Sequence, residues 1–235
     1  MRVLGLDTSA YATTIGIVED GRILADFTFE ARTDTLEKIV THIDIALRES
    51  ELKLEDIDGF GVGLGPGSWT GTRVGVTVAK TLAFSTGKPI CGISTLEVLA
   101  YQVGKTDRLI CPIISAGTRD TIYAAFYRRQ DGTLLRQGEY YVGDVSGLAK
   151  SIKENTIIVS TGVVNHLKIM SREVDPGVSI EAIEDTPKGA SVALLVLARF
   201  QRGESDDVLS LAPLYLKEST ARAFISKYTV AQGKG

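Results

Sequence analysis

Apolar residues gather along this chain in two kinds of run: short, nearly continuous ones, and longer ones in which they return at every third or fourth position. The first kind reads as strand and the second as amphipathic helix. Val3-Leu4-Gly5-Leu6 is a short strand that stops at Asp7-Thr8-Ser9. Residues 13–18 and 23–29 are two more, joined by Glu19-Asp20-Gly21-Arg22, whose Asp-Gly pair marks a tight hairpin. Together these strands make an antiparallel meander. Residues 33–47 then carry Leu36, Ile39, Val40, Ile43 and Leu47, one apolar seam on a helix that Thr33 or Asp34 can cap and whose early Glu37 suits the dipole. Residues 56–64 form the fourth strand. A helix follows that Lys88-Pro89 ends, residues 90–93 are a fifth strand, and Ser94-Thr95 opens a helix to about residue 104.

From Arg108 the same order begins again. Strands at 109–115, 122–128 and 134–142, the last two joined at Asp131-Gly132, precede a helix at 145–153. A strand at 156–160, a helix at 165–172, a short strand at 178–183 and a helix at 190–201 complete the copy. Two successive meanders with helices imply an internal duplication. The expected class is α/β, with two tandem subdomains, each a mixed sheet with helices, over residues 1–105 and 106–235. The segment Leu211-Ala212-Pro213-Leu214-Tyr215-Leu216-Lys217 is apolar enough to pack on the body, and the small, polar end after Tyr228 is expected to fray.

The turn Gly65-Pro66-Gly67 between the fourth strand and its helix organises the first half. Ser68 or Thr70 can accept the free amides of the helix's first turn. Beyond it Gly71, Gly75, Ala79 and Ala83 recur every four residues, a face without bulk, and Val74, Val78 and Leu82 form an apolar stripe beside it. One sheet needs only one of these faces. The small face therefore calls for a neighbouring helix, either the 33–47 helix or one from another protein. The two helices together would present an apolar ridge of the kind that marks an interface.

Composition narrows the classes. The chain has 235 residues, 44% hydrophobic, enough for one large domain or two small ones. Its formal net charge is -3 and its Lys and Arg form no block, so it lacks the basic footprint of a protein that grips nucleic acid alone. No apolar run is long enough to span a bilayer and no signal peptide is evident, so a cytoplasmic location is expected. Cys91 and Cys111 lie inside strand-like runs and read as reduced core thiols. His42 and His166 each stand alone, which argues against a metal site.

Four stretches, in order, carry a resemblance: Leu4-Gly5-Leu6-Asp7-Thr8-Ser9; Gly65-Pro66-Gly67-Ser68-Trp69-Thr70-Gly71-Thr72-Arg73-Val74-Gly75; Gly92-Ile93-Ser94-Thr95-Leu96-Glu97-Val98-Leu99-Ala100; and Pro213-Leu214-Tyr215-Leu216. They resemble the TsaB (YeaZ) family, within the superfamily of actin, hexokinase and the large heat-shock ATPases. The middle two are the specific ones; that family commonly has Phe where Trp69 stands and Leu where Thr72 stands. The resemblance implies two tandem ribonuclease-H-like (actin-like ATPase) subdomains. It implies a non-catalytic cytoplasmic subunit, without cofactor, of the machinery that places a threonylcarbamoyl group on the adenosine beside the anticodon of certain tRNAs. Its implied partners are a metal-bearing catalytic TsaD-like subunit, a TsaE-like ATPase in the ternary complex, and a second copy of itself when TsaD is absent. tRNA would be met through the complex. The implied partner surface is Leu36, Ile39, Val40, Ile43, Leu47, Gly71, Val74, Gly75, Val78, Ala79 and Leu82.

Two other chemistries compete. In ATPases of this fold an Asp after the first strand holds the nucleotide's phosphate end, so Asp7, Thr8 and Ser9 would be a vestigial nucleotide site, or in the alternative the working site of a small ATPase or kinase. Against that, the matching place in the second half reads Ser115-Ala116-Gly117-Thr118, with Ser where an acid is wanted, and Ser160-Thr161-Gly162-Val163-Val164-Asn165 is a worn form of the adenosine turn. Residues 65–71 lack the Lys-Ser or Lys-Thr pair of a P-loop. A peptidase triad of Ser68, His42 and Asp7 has nothing in the sequence to bring it together.

Overall fold

Two sheets of one topology carry the chain, in a computed structural model that describes residues 1–30, 37–117, 121–160 and 164–216. The first half runs β1 (Arg2–Asp7), β2 (Ala12–Glu19), β3 (Arg22–Glu30), α1 (Ile39–Glu49), β4 (Gly59–Gly63), α2 (Trp69–Thr86), β5 (Ile90–Ile93) and α3 (Thr95–Gln102). The second runs β6 (Leu109–Ser115), β7 (Ile122–Gln130), β8 (Thr133–Gly143), α4 (Val145–Ser151), β9 (Thr156–Ser160), α5 (Val164–Glu173), β10 (Ile180–Glu184) and α6 (Gly189–Gln201).

The sheet orders are β3-β2-β1-β4-β5 and β8-β7-β6-β9-β10, so each element of one half has its counterpart in the other. In both, an antiparallel meander is extended by two parallel strands: β1 pairs β4 with Val3 opposite Gly59, and β6 pairs β9 with Leu109 opposite Thr156. The fold is that of two tandem ribonuclease-H-like, actin-like subdomains.

The third helix of each half crosses to the other half's sheet. Leu96, Leu99 and Ala100 of α3 are buried with Ile110, Ile114, Ala125 and Ile157 of the second sheet. Val192, Ala193, Val196 and Leu197 of α6 are buried with Val3, Val18, Cys91 and Ile93 of the first. Glycines make the second contact possible. A Cβ on Gly5 would come within 2.3 Å of Gly189 O, and one on Gly16 within 2.0 Å of Ala190 N. The sheets lie either side of residue 105, but α6, from the later stretch, completes the first sheet's sandwich.

Element ends differ from the periodicity where side chains decide them. The fourth strand starts at Gly59 because residues 54–56 wind into a 3-10 turn, with Asp56 accepting the Lys53 amide at 2.8 Å. Ser68 caps α2 by accepting the Gly71 amide at 3.1 Å, and Gly87 closes it in the left-handed conformation. Cys91 and Cys111 are buried and free. Leu36 with its capping residues, Thr118, residues 161–163 and the end beyond Leu216 lie outside the described residues.

Candidate functional site

β1 ends in the sequence Asp7-Thr8-Ser9, all three buried, and three other elements close over them. Asp7 Oδ1 accepts the Ser9 amide at 2.8 Å and lies 2.7 Å from Ser9 Oγ. Asp7 Oδ2 lies 2.8 Å from Thr95 Oγ1 at the start of α3, and the two hydroxyls are 2.9 Å apart. β4 passes so close that a Cβ on Gly63 would sit 1.9 Å from Asp7 Oδ2. Burial pushes the Asp7 carboxyl above the usual carboxylate range, while the hydrogen bonds of Ser9 and Thr95 pull the other way.

The Gly65-Pro66-Gly67 turn is seated on this corner. The Ser68 amide donates to Ser9 O at 2.7 Å, and the Thr95 amide donates to Gly65 O at 2.8 Å. Gly67 lies against Ser9, where a Cβ would approach its carbonyl oxygen to 2.3 Å. Thr8 Oγ1 donates to Gly71 O at 2.7 Å. The Asp7 oxygens are thus engaged within the chain, and the turn rests on Ser9. In the second half the matching strand end is the exposed Ser115, whose hydroxyl accepts the Gly117 amide at 3.3 Å.

The two helices of the expected ridge divide into covered and open residues. Ile39, Ile43 and Leu47 are buried in the first core, as are Ala79 and Ala83. Gly71 and Gly75 are buried too, and the neighbour that their missing bulk admits is not a helix. It is Thr8: a Cβ would lie 2.1 Å from Thr8 O at Gly71 and 2.1 Å from Thr8 Oγ1 at Gly75. Val74, Val78 and Leu82 are half-buried at the core's margin. Val40 stands open at 64% exposure. Two residues outside the expected set stand open on α2: Phe84 at 70% and Trp69 at 48%. Arg73 Cζ lies 4.3 Å from the Trp69 ring centre, the Tyr215 ring packs on Trp69 at 4.7 Å, and Arg73 Nε donates to Tyr215 OH at 3.0 Å. The signal for Phe84 was in the sequence, as an aromatic in the stripe of Arg73, Thr77 and Thr81 where polar residues otherwise stand.

The remaining candidates have separate partners. Ser68 caps α2, Asp7 bonds Ser9 and Thr95, and the His42 ring stacks on Phe29 at 3.9 Å, so no triad forms. His166 falls in α5, where its side chain lies outside the described residues. Among the described residues no three His, Cys, Asp or Glu side chains group to hold a metal, and no helix is long and apolar enough to cross a membrane.

A family model described as TsaD, tRNA N6-adenosine threonylcarbamoyltransferase, matches residues 30–170. The chain is 27% identical over 227 residues to the tRNA threonylcarbamoyladenosine biosynthesis protein TsaB of Bacillus subtilis (strain 168), covering 95% of this chain and 97% of that one. It is 31% identical over 134 residues to the protein of the same name in Escherichia coli (strain K12), covering 56% of this chain and 58% of that one. The solved structure of YeaZ from Pseudomonas aeruginosa superposes with a TM-score of 0.79 over 92% of this chain and 99% of that one, and at 22% identity this likeness is one of fold. The chain belongs to the TsaD family, in its TsaB (YeaZ) branch.

Proposed function

We propose that this protein is a non-catalytic, cytoplasmic subunit of the tRNA threonylcarbamoyladenosine machinery that binds and supports a TsaD-like catalytic subunit. The observation that carries this reading is a contrast within one helix. The N-terminal end of α2 is seated on Thr8 and Ser9, beside the buried Asp7, while the outer side of the same helix leaves Trp69 and Phe84 open. With Val40 and the margins of Val74, Val78 and Leu82, these residues form the docking face. The relatives' names supply the process.

The same face serves a homodimer when the catalytic subunit is absent, so the two complexes compete. A TsaE-like ATPase joins the ternary complex, and tRNA is met through the assembly. The test is co-purification of the tagged chain with a TsaD-like subunit from the same cell, with and without excess untagged chain. Capture that the excess chain reduces supports the reading; ATP turnover by this chain alone, with no such capture, overturns it.

A further inference from the structure

Asp7, Ser9 and Thr95 place three oxygen contacts in a closed triangle: Ser9 Oγ to Asp7 Oδ1 at 2.7 Å, Thr95 Oγ1 to Asp7 Oδ2 at 2.8 Å, and hydroxyl to hydroxyl at 2.9 Å. Each of these distances is that of a hydrogen bond and each needs its own proton. A charged carboxylate has none to give, and a hydroxyl carries one. With Asp7 ionised, Ser9 and Thr95 both donate to it, and the remaining contact sets lone pairs against lone pairs. With a proton on Asp7 the count closes. Oδ1 already accepts the Ser9 amide, so it is the carbonyl-like oxygen and Oδ2 carries the proton. Oδ2 then donates to Thr95, Thr95 to Ser9, and Ser9 to Oδ1, a ring in which each hydroxyl both gives and receives, Oδ2 only gives and Oδ1 only receives.

We infer that Asp7 is a neutral carboxylic acid in the folded protein across pH values at which surface carboxylates are charged, and that its ring with Ser9 and Thr95 is a proton-dependent pin between the first sheet and the helix that packs on the second. The pin joins β1 of the first sheet to the first residue of α3, the helix that packs on the second sheet. The groups facing Asp7 from each packed element are uncharged: Ser9 from its own turn, Gly63 from β4, Thr95 from α3, and behind Ser9 the Gly67–Ser68 backbone of the α2 entry. What acts on the carboxyl is burial, the Ser9 hydroxyl and amide, and the Thr95 hydroxyl, with no charged side chain among them. Low polarity without a counter-charge disfavours ionisation. The inference goes beyond the partner-subunit reading, because a neutral Asp7 is a property of this chain alone.

The test follows the Asp7 carboxyl carbon by NMR in full-length protein labelled at aspartate, through a pH titration, with the signal assigned sequentially and checked by its loss in Asp7→Asn. The expected result is a titration above that of the exposed aspartates, with the urea midpoint of the wild type falling in the same pH window and that of Asp7→Asn flat there. Asn supplies both a donor and an acceptor, so the variant keeps the ring's geometry. If Asp7→Asn does not fold, the wild-type titration alone decides. A carboxyl that titrates with the exposed aspartates or below them overturns the inference and leaves the docking face as it stands.

Discussion

Gly75 lies directly beneath Thr8, so close that a Cβ on Gly75 would come within 2.1 Å of Thr8 Oγ1, the hydroxyl that donates to the Gly71 carbonyl. The small face of α2 is thereby used inside the subunit. Replacing Gly by Ala in an ordinary exposed helix stabilises it by about 1 kcal/mol. Gly75→Ala is expected to do the opposite, destabilising by ~1–3 kcal/mol because Thr8 is buried and its hydroxyl is held by the Gly71 carbonyl. Urea unfolding of the monomer measures this. A gain in stability, with association weakened instead, would return the small face to the partner.

Phe84 and Val40 are open and outside the core, so charged replacements there leave the fold intact. Phe84→Glu and Val40→Glu are each expected to stay within about 0.5 kcal/mol of the wild type in unfolding. Self-association should weaken by tenfold or more, the scale of a hot-spot loss. Sedimentation velocity across a dilution series reads the second effect. Val74→Arg and Val78→Glu are poorer probes, since both residues pack against the first core and their loss would unfold it in part.

Lys80 fastens the segment after α6 to α2. Its Nζ donates to Leu209 O at 2.9 Å and Leu211 O at 2.8 Å, upstream of the Leu214 amide that donates to Leu64 O at 2.8 Å. Lys80→Met keeps the aliphatic stem and removes both bonds, at about 1 kcal/mol. Exchange of the Leu214 amide is expected to quicken by roughly fivefold while that of β1 is unchanged. Equal rates in variant and wild type would show that the segment does not depend on Lys80.

Glu97 gives a pH dependence with a definite sign. Its carboxyl is raised by burial, against the opposing pull of Arg199, Arg136 and Arg202. A folded-state value above the unfolded one stabilises most below the unfolded value, and that contribution is lost as pH rises through the folded value. Glu97→Gln is therefore expected to match the wild type in acid and exceed it at neutral pH. Urea midpoints at the two pH values check this; a variant weaker at neutral pH would mean that the three arginines outweigh burial.

Much of the architecture was legible in the spacing of apolar residues. The duplicated order of strands and helices, the Asp-Gly hairpins and the Ser68 cap are local features, set by neighbours in sequence. What escaped is non-local. The apolar spacing within residues 189–201 does not say which sheet this helix meets; that follows from Gly5 and Gly16, far upstream, which with Gly189 leave room for the contact. The spacing of Gly71, Gly75 and Ala79 showed that something approaches closely but not what, because a backbone turn and a second helix ask the same absence of side chain. Ile39, Ile43 and Leu47 proved to be core, and Val40, which shared their seam, sits at its edge with its side chain open. The Asp7 ring was hidden for the same reason, since Thr95 lies 88 residues from Asp7.

In the proposed function α1 and α2 offer their outer surface to a TsaD-like subunit. The most direct measurement is a calorimetric titration of that subunit into the wild type and into the Phe84→Glu, Val40→Glu double variant, both first shown to be folded. The account predicts saturable binding by the wild type and a loss of at least tenfold in the double variant. Equal affinity for the two proteins would contradict it.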